Sequence, residues 1–388
     1  MNMVHLLHSY QHYYESSIYG RYINSDHIKG LLKRHSNHFD VSVIGSSVLG
    51  EDIQFIKVGN GRLRILMWSQ MHGNESTTTK ALFDLLNVLS DNQDVFVEDL
   101  LNKITIGIIP MLNPDGSRAY TRLNANHVDL NRDAQDLTQP ESRVLRSCFN
   151  SFKPDYCFNL HGQRTIFSAG IRNKPATVSF LSPAQDKERS VTVTRRRAMD
   201  VIVKMNSTLQ EVIPGQVGIY DDAFNINCVG DTFQSMNVPT VLFEAGHYEN
   251  DYNREVVRGL MFQSLWTSIV QLGFEAIPGN LESAYSAIPK NEKLFYDIII
   301  RNVKLEIAGN EKILDLGIQY EERLEQNQIV FVPRIIKIAD LSNFYGHREL
   351  DAQQKTVEIG KFKAIKEGVE IDFVILNNEK HSLNVEIK

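Results

Sequence analysis

A repeated unit constrains this chain most: a short apolar run, a polar turn, then a stretch with helical spacing. The runs LRILMW, KITIGIIPML, DYCFNLHG and VPTVLFEAG read as buried strands, and TTTKALFDLLNVL, ESRVLRSCFNSF and NREVVRGLMFQSLWTSIVQL as helices. Strands alternating with helices define an α/β sheet, whose functional loops leave the carboxyl ends of the strands. Upstream, VSVIGSSV and IQFIKVG add short strands before a Gly59-Asn60-Gly61 turn. The helix after LRILMW is expected to be capped near Ser76 or Thr77, and the last helix to be amphipathic and to close the domain.

At Ile277-Pro278-Gly279-Asn280 the pattern breaks, and beyond it LFYDIIIRNVKLEI, QIVFVPRIIKI, KTVEIGKFKAI and EIDFVILNN alternate apolar and polar residues between Gly and Asn turns. This reads as a small all-β module, giving a division into residues 1–277 and 278–388. A chain of 388 residues exceeds what one core usually serves, which fits one large and one small domain. The module's His347 and His381 are isolated and read as structural.

A net charge of -6 gives no electrostatic reason to expect a nucleic acid or an anionic membrane as partner. The run Arg195-Arg196-Arg197 reads as the solvated face of a helix. Three cysteines, with no C-x-x-C pair, argue against a disulfide framework or a thiolate zinc site. The opening residues lack the basic start and apolar run of a secretory signal, and no apolar stretch is long enough to span a bilayer, so a cytoplasmic location is the expectation. His5, His8 and His12 share helical spacing but have no nearby carboxylate, and read as surface or packing residues.

The chemistry concentrates at the strand ends. His72 and Glu75 follow a buried strand and offer one imidazole and one carboxylate to a single ion; His161, at the end of another strand, would complete three protein ligands with a position left for water. Arg122, Asn131 and Arg132 lie in one stretch after the Asn113-Pro114-Asp115-Gly116 turn, and arginine's planar fork suits a carboxylate or an oxyanion. Glu244 ends the strand VPTVLFE, where poor solvation would raise its proton affinity and suit a general base; a helix-capping or ion-paired glutamate is the other reading.

Taken in order, HGNE with His72 and Glu75, NPDG from Asn113, RLNANHVDLNR from Arg122 to Arg132, LHG around His161 and the strand-terminal Glu244 resemble the zinc carboxypeptidases over roughly residues 20 to 275. The resemblance implies a mixed, mostly parallel sheet flanked by helices, followed by the small all-β domain. It implies one zinc ion per chain held by His72, Glu75 and His161, with Arg122 assisting the oxyanion, Asn131 and Arg132 gripping the substrate carboxylate, and Glu244 as base. Tyr220 sits where the family often has a mobile tyrosine over the substrate; packing is the equal alternative. The substrate implied is a peptide or acyl-amino acid with a free carboxylate, cleaved at the adjacent amide. Murein-peptide amidases and N-acyl amino acid deacylases resemble the family as well, and a catalytically inactive carboxylate-binding protein is the non-enzymatic alternative. Three features depart from the pattern: Asp133 puts a carboxylate beside the Asn-Arg pair, His127 stands where glycine is common, and His247 follows Glu244 by three residues. The stretch Val229-Gly230-Asp231, near the side-chain pocket, carries no clear charge or aromatic signature.

Overall fold

The computed structural model describes residues 10–91, 93–307, 309–360 and 364–385, so His5 and His8 lie outside the described residues. Eight strands form one sheet: β1 (Asp40–Ser46), β2 (Asp52–Val58), β3 (Leu63–Ser69), β4 (Ile104–Ile109), β5 (Tyr156–Gly162), β7 (Val178–Leu181), β8 (Val217–Ile219) and β9 (Thr240–Ala245), with the short β6 (Ser168–Ala169) outside it. Their order is β1-β2-β4-β3-β5-β9-β7-β8. The centre, β4-β3-β5-β9, is parallel throughout, whereas β1 pairs with β2, β2 with β4 and β7 with β9 antiparallel. The mixed, mostly parallel sheet flanked by helices is therefore present.

The period of two along each strand explains why both faces are covered. In β3, Ile65 and Met67 join a core with Leu82, Leu86, Ile202, Met261 and Leu265 of the helices Thr77–Leu89, Val193–Gln210 and Glu255–Phe274. Leu66 and Trp68 face the opposite way, into a second core with Leu145 and Phe149 of the helix Pro140–Phe152 and Phe233 of the helix Val229–Ser235. Two expectations change here. The helix Glu255–Phe274 is buried on nearly every side rather than amphipathic, because it lies between the sheet and two other helices. Ser76 does occupy the N-cap of Thr77–Leu89, but its hydroxyl donates to the Arg21 carbonyl instead of capping the helix. The arginine run is also not uniformly solvated: Arg195 is buried, donating to the carbonyls of Ser182 and Arg189 and pairing with Asp222.

The segment after Phe274 is pinned by Asp200, whose carboxylate accepts from the backbone N–H groups of Gly279 and Leu281. It leads through β10 (Asn291–Glu292) into β11 (Phe295–Ile307), β12 (Asn310–Glu325), β13 (Gln328–Ala339) and β14 (Tyr345–Asp351), a sheet ordered β13-β12-β11-β14. A smaller sheet of β15 (Glu358–Ile359), β16 (Phe373–Leu376) and β17 (Glu379–Ser382) closes a separate core around Ile298, Ile318, Ile335 and Val374. The longest strand, β12, is absent from the sequence reading, since its second half, QYEERLE, carries too many charges to alternate. Together with β13 it packs against loops of the large sheet, Tyr320 of β12 and Ile329 and Phe331 of β13 meeting Tyr120 and Tyr252.

Candidate metal centre and cleft

The parallel centre of the sheet sends four adjacent strands toward one edge, and their carboxyl ends carry the site. The loop after β3 holds His72 and Glu75, His161 is the penultimate residue of β5, and β9 presents Glu244 directly beside His161. Glycine makes the loop packing possible: a Cβ on Gly73 would stand 1.9 Å from the Gly116 backbone. Asn113 caps the short helix Pro114–Ala119 by accepting from Gly116 N–H, and donates to the Met71 carbonyl. Asp115 accepts from the Ser47 hydroxyl and from Leu49 N–H. The NPDG stretch thus begins a helix that props the His72 loop.

His72 Nδ1 lies 2.9 Å from Glu75 Oε1 and 3.1 Å from His161 Nδ1, and His161 Nδ1 lies 3.0 Å from Glu75 Oε2. One ligand atom from each of the three falls within 4.8 Å of the others, the group among the described residues suited to a metal ion. Both imidazoles are buried. Glu75 is held well below the usual carboxylate range: burial alone would raise it, but His72 and His161 outweigh that. Two imidazole nitrogens and a carboxylate are the donor set of an open zinc site, and three such groups crowded together fit a shared cation better than one another.

Asp129 supports this cluster, a role not drawn from the sequence. Its Oδ1 stands 3.1 Å from His72 Nε2 and accepts from Asn131 N–H, and its Oδ2 accepts from Arg122 Nε and Nη2 at 3.1 and 3.0 Å. One carboxylate therefore fixes the ring of a ligand, the guanidinium of Arg122 and the turn bearing Asn131. In the sequence this aspartate stands in HVDLNR, the one carboxylate between Arg122 and Asn131.

Glu244 is buried, and its Oε2 has no hydrogen-bond partner among the described residues. Burial, reinforced by the charge of Glu75, pushes its carboxyl well above the usual range, with Arg122 and Arg254 acting in the other direction. Arg122, Asn131, Arg132, Tyr220 and Glu244 all line a cleft of about 860 Å³ together with His72, Glu75 and His161. Arg122 Nη1 is 3.5 Å from Glu75 Oε1. Asn131 Oδ1 accepts from Val229 N–H, and the exposed Arg132 donates to the Asn131 carbonyl. Tyr220 is half-buried, edge-on to Phe167 at 5.4 Å.

The departures resolve individually. Asp133 turns away from the cleft: its oxygens accept from Thr138 N–H and hydroxyl and from Gln139 N–H, so it organises the turn before the helix Pro140–Phe152. His127 is exposed with φ of 59°, the left-handed conformation that favours glycine at this position. His247 is buried with its ring 4.3 Å from that of His347, so two histidines separate in sequence meet between the large domain and the β module. The Val229–Asp231 stretch does carry a charge signal: Asp231 lines the cleft, and burial pushes its carboxyl up to about 6.

An α/β sheet with a His-Glu-His cluster at its parallel strand ends defines a metal-site protein of carboxypeptidase-like fold. Residues 25–159 match the zinc carboxypeptidase family model. A probable carboxypeptidase 2 of Arthroderma benhamiae is 32% identical over 100 residues, 26% of this chain and 19% of that protein. Carboxypeptidase SOL1 of Arabidopsis thaliana is 29% identical over 153 residues, 35% of this chain and 31% of that protein. The chain thus spans less than a third of the length of either relative. Among solved structures, a metallo-carboxypeptidase of Pseudomonas aeruginosa, in complex with (2-guanidinoethylmercapto)succinic acid, has the same fold. It superposes with a TM-score of 0.53 at 18% identity, over 64% of this chain and 69% of that one. The chain is thus similar to the zinc carboxypeptidases over residues 25–159 and shares the fold of that metallo-carboxypeptidase.

Proposed function

We propose that this chain is a zinc-dependent hydrolase cleaving an amide bond adjacent to a free carboxylate. The observation that carries the reading is the convergence of His72, Glu75 and His161 beside a buried Glu244 with an unpartnered oxygen, all facing one cleft. Zinc held by the three ligands would supply an acidified water and polarisation of the scissile carbonyl. Glu244, with its raised proton affinity, takes a proton from the attacking water and delivers it to the departing nitrogen. Arg122, oriented by Asp129, places positive charge where the carbonyl oxygen becomes anionic. Asn131 and Arg132 hold the free carboxylate and so keep the amide in register, and Tyr220 covers the bound substrate. Because β12 contributes Tyr320 and Glu322 to the cleft, short peptides and acyl-amino acids fit this reading better than a folded polypeptide end.

The test is metal content paired with turnover. Purified protein is expected to carry one zinc per chain and to release the terminal amino acid from blocked dipeptides. Chelation should abolish that activity and zinc should restore it. Turnover that persists in metal-free protein would sink the assignment.

A further inference from the structure

The end of the cleft away from Asn131 and Arg132 is built around Arg254. Arg254 and Arg258 stand one helical turn apart at the start of Glu255–Phe274, and both are buried. Arg258 is fully compensated, donating to Asp84 at 2.7 and 2.6 Å and pairing with Glu255 at 3.1 Å. Arg254 has no such partner: among the described residues no carboxylate oxygen lies within ion-pair distance of it. Its Nη1 donates to the Ala245 carbonyl at 2.7 Å, its Nη2 to the Gln163 carbonyl at 3.0 Å, and its Nε has no acceptor. The carboxylates nearest it are already taken. Glu322 of β12 is held by Arg21 at 3.0 Å and by the Tyr120 hydroxyl, and Asp251 accepts from the N–H groups of Glu255 and Val257.

A buried guanidinium without a counter-charge is costly unless an anion arrives to meet it, and the two carbonyls use only part of its five-donor capacity. Arg254 lines the cleft, as do Arg21, Arg164 and Glu322. Arg21, Arg164 and Arg254 against Glu322 and Asp251 leave this end with a net charge of +1. It is a different end from the one already assigned. Asn131 is tied to Val229 at the start of the helix Val229–Ser235, whereas Arg254 is tied to the Ala245 and Gln163 carbonyls, and Glu322 of β12 to Arg21 and Tyr120.

We propose that this second end, around Arg254 and Arg21 and walled by the β module, binds an anionic group on the acyl side of the scissile amide. The preferred substrate is then negatively charged on both sides of the bond. The label "acyl side" rests on the hydrolase reading, in which Asn131 and Arg132 take the carboxylate of the leaving amino acid.

The probes are N-acetyl-Glu-Leu and N-acetyl-Gln-Leu, which share the amide to be cleaved and the terminal carboxylate and differ in one acyl-side charge. Binding to the zinc-loaded full-length Glu244→Gln protein is measured by calorimetry, and kcat/KM on the unsubstituted enzyme. The acidic peptide is expected to bind about tenfold more tightly, the scale of one charge-assisted hydrogen bond. In an Arg254→Gln background that ratio should fall toward one. Arg164→Ala, at an exposed position that leaves the buried clamp intact, should lower it by a factor of about two to three, the size of a screened charge contact. Equal affinity for the two peptides would overturn the proposal, as would a ratio that survives Arg254→Gln. A preference in binding with neither peptide hydrolysed would uphold the subsite and remove the hydrolase assignment instead.

Discussion

The two ends of the cleft are built by different means. Around His72, Glu75, His161, Arg122 and Asn131, each functional side chain comes from a loop at a strand end, and Asp129 ties ligand, arginine and turn together. Around Arg254, the residues come from places far apart in sequence: Arg21, Tyr120, the start of the last helix, and β12 of the module. The first end is a set of short motifs on a parallel sheet. The second exists only because a separate β sheet leans on that scaffold. Chemistry is therefore held by the α/β framework, whereas the shape and charge of the opposite wall depend on a contact between domains.

The sharpest way to break this division is at the base. Glu244→Gln keeps the shape of the side chain and loses its proton chemistry, so turnover should fall by about 10²–10⁴-fold, the usual worth of a general acid-base group. Zinc content should stay at one per chain. Activity within a factor of two of the unsubstituted protein would show that the strand-end carboxylate is not the base. Next in size is the paired arginine on the same helix as Arg254. Arg258→Met leaves Asp84 buried and uncompensated, and should cost about 3–5 kcal/mol in denaturant unfolding. Arg258→Met combined with Asp84→Leu should recover most of the loss. If the single substitution is neutral, the contrast between a compensated Arg258 and an uncompensated Arg254 loses its meaning.

The sequence was most informative where function depends on local order. Buried apolar strands, the loops that follow them and the His72, Glu75 and His161 positions are all readable because each strand end places its own residues. The readings that changed were those set by neighbours. Glu255–Phe274 loses its polar face because helices cover it on both sides, and no periodicity within its own residues announces that. The charged half of β12 hid a strand that lines the cleft, since Glu321, Glu322 and Arg323 satisfy their charges across the module or against Arg21. His347 looked isolated because its contact with His247 crosses 100 residues of chain. Asp133 stands beside Arg132 in sequence yet turns away from the cleft, because proximity along the chain says nothing of which way a turn faces.

A smaller effect separates support from ligation at the metal end. Asp129→Asn retains the size of the group that faces His72 Nε2 and removes its charge, so zinc affinity should weaken by about 10–100-fold, the usual consequence of losing a partner behind a ligand. Competition with a chromophoric chelator measures this directly. The same substitution frees Arg122, so kcat should also fall in zinc-saturated protein. Unchanged zinc affinity would reduce Asp129 to an anchor for Arg122 and the Asn131 turn.

The smallest expected effect tests the contact between the two domains. His247 is held well below its ordinary value of 6.5, first by burial and then by His347, Arg254 and Arg21; His347 is lowered by burial, against the pull of Asp297 and the Thr165 carbonyl. Both imidazoles are thus neutral in the folded chain at a pH where the unfolded chain is protonated. Below about pH 6.5 the unfolded state binds more protons, so stability is complete above that value and declines as the pH falls through it. His35, pushed down to about 4 by burial, contributes with the same sign from the helix Ser25–His35. The comparison must therefore be between the unsubstituted protein and His247→Phe, which fills the same aromatic position beside Tyr252 and cannot take up a proton. His247→Phe should unfold with a shallower dependence on pH between 7 and 5 while matching the unsubstituted protein at pH 8. Identical pH slopes for the two would mean that the contact between His247 and His347 carries no proton linkage.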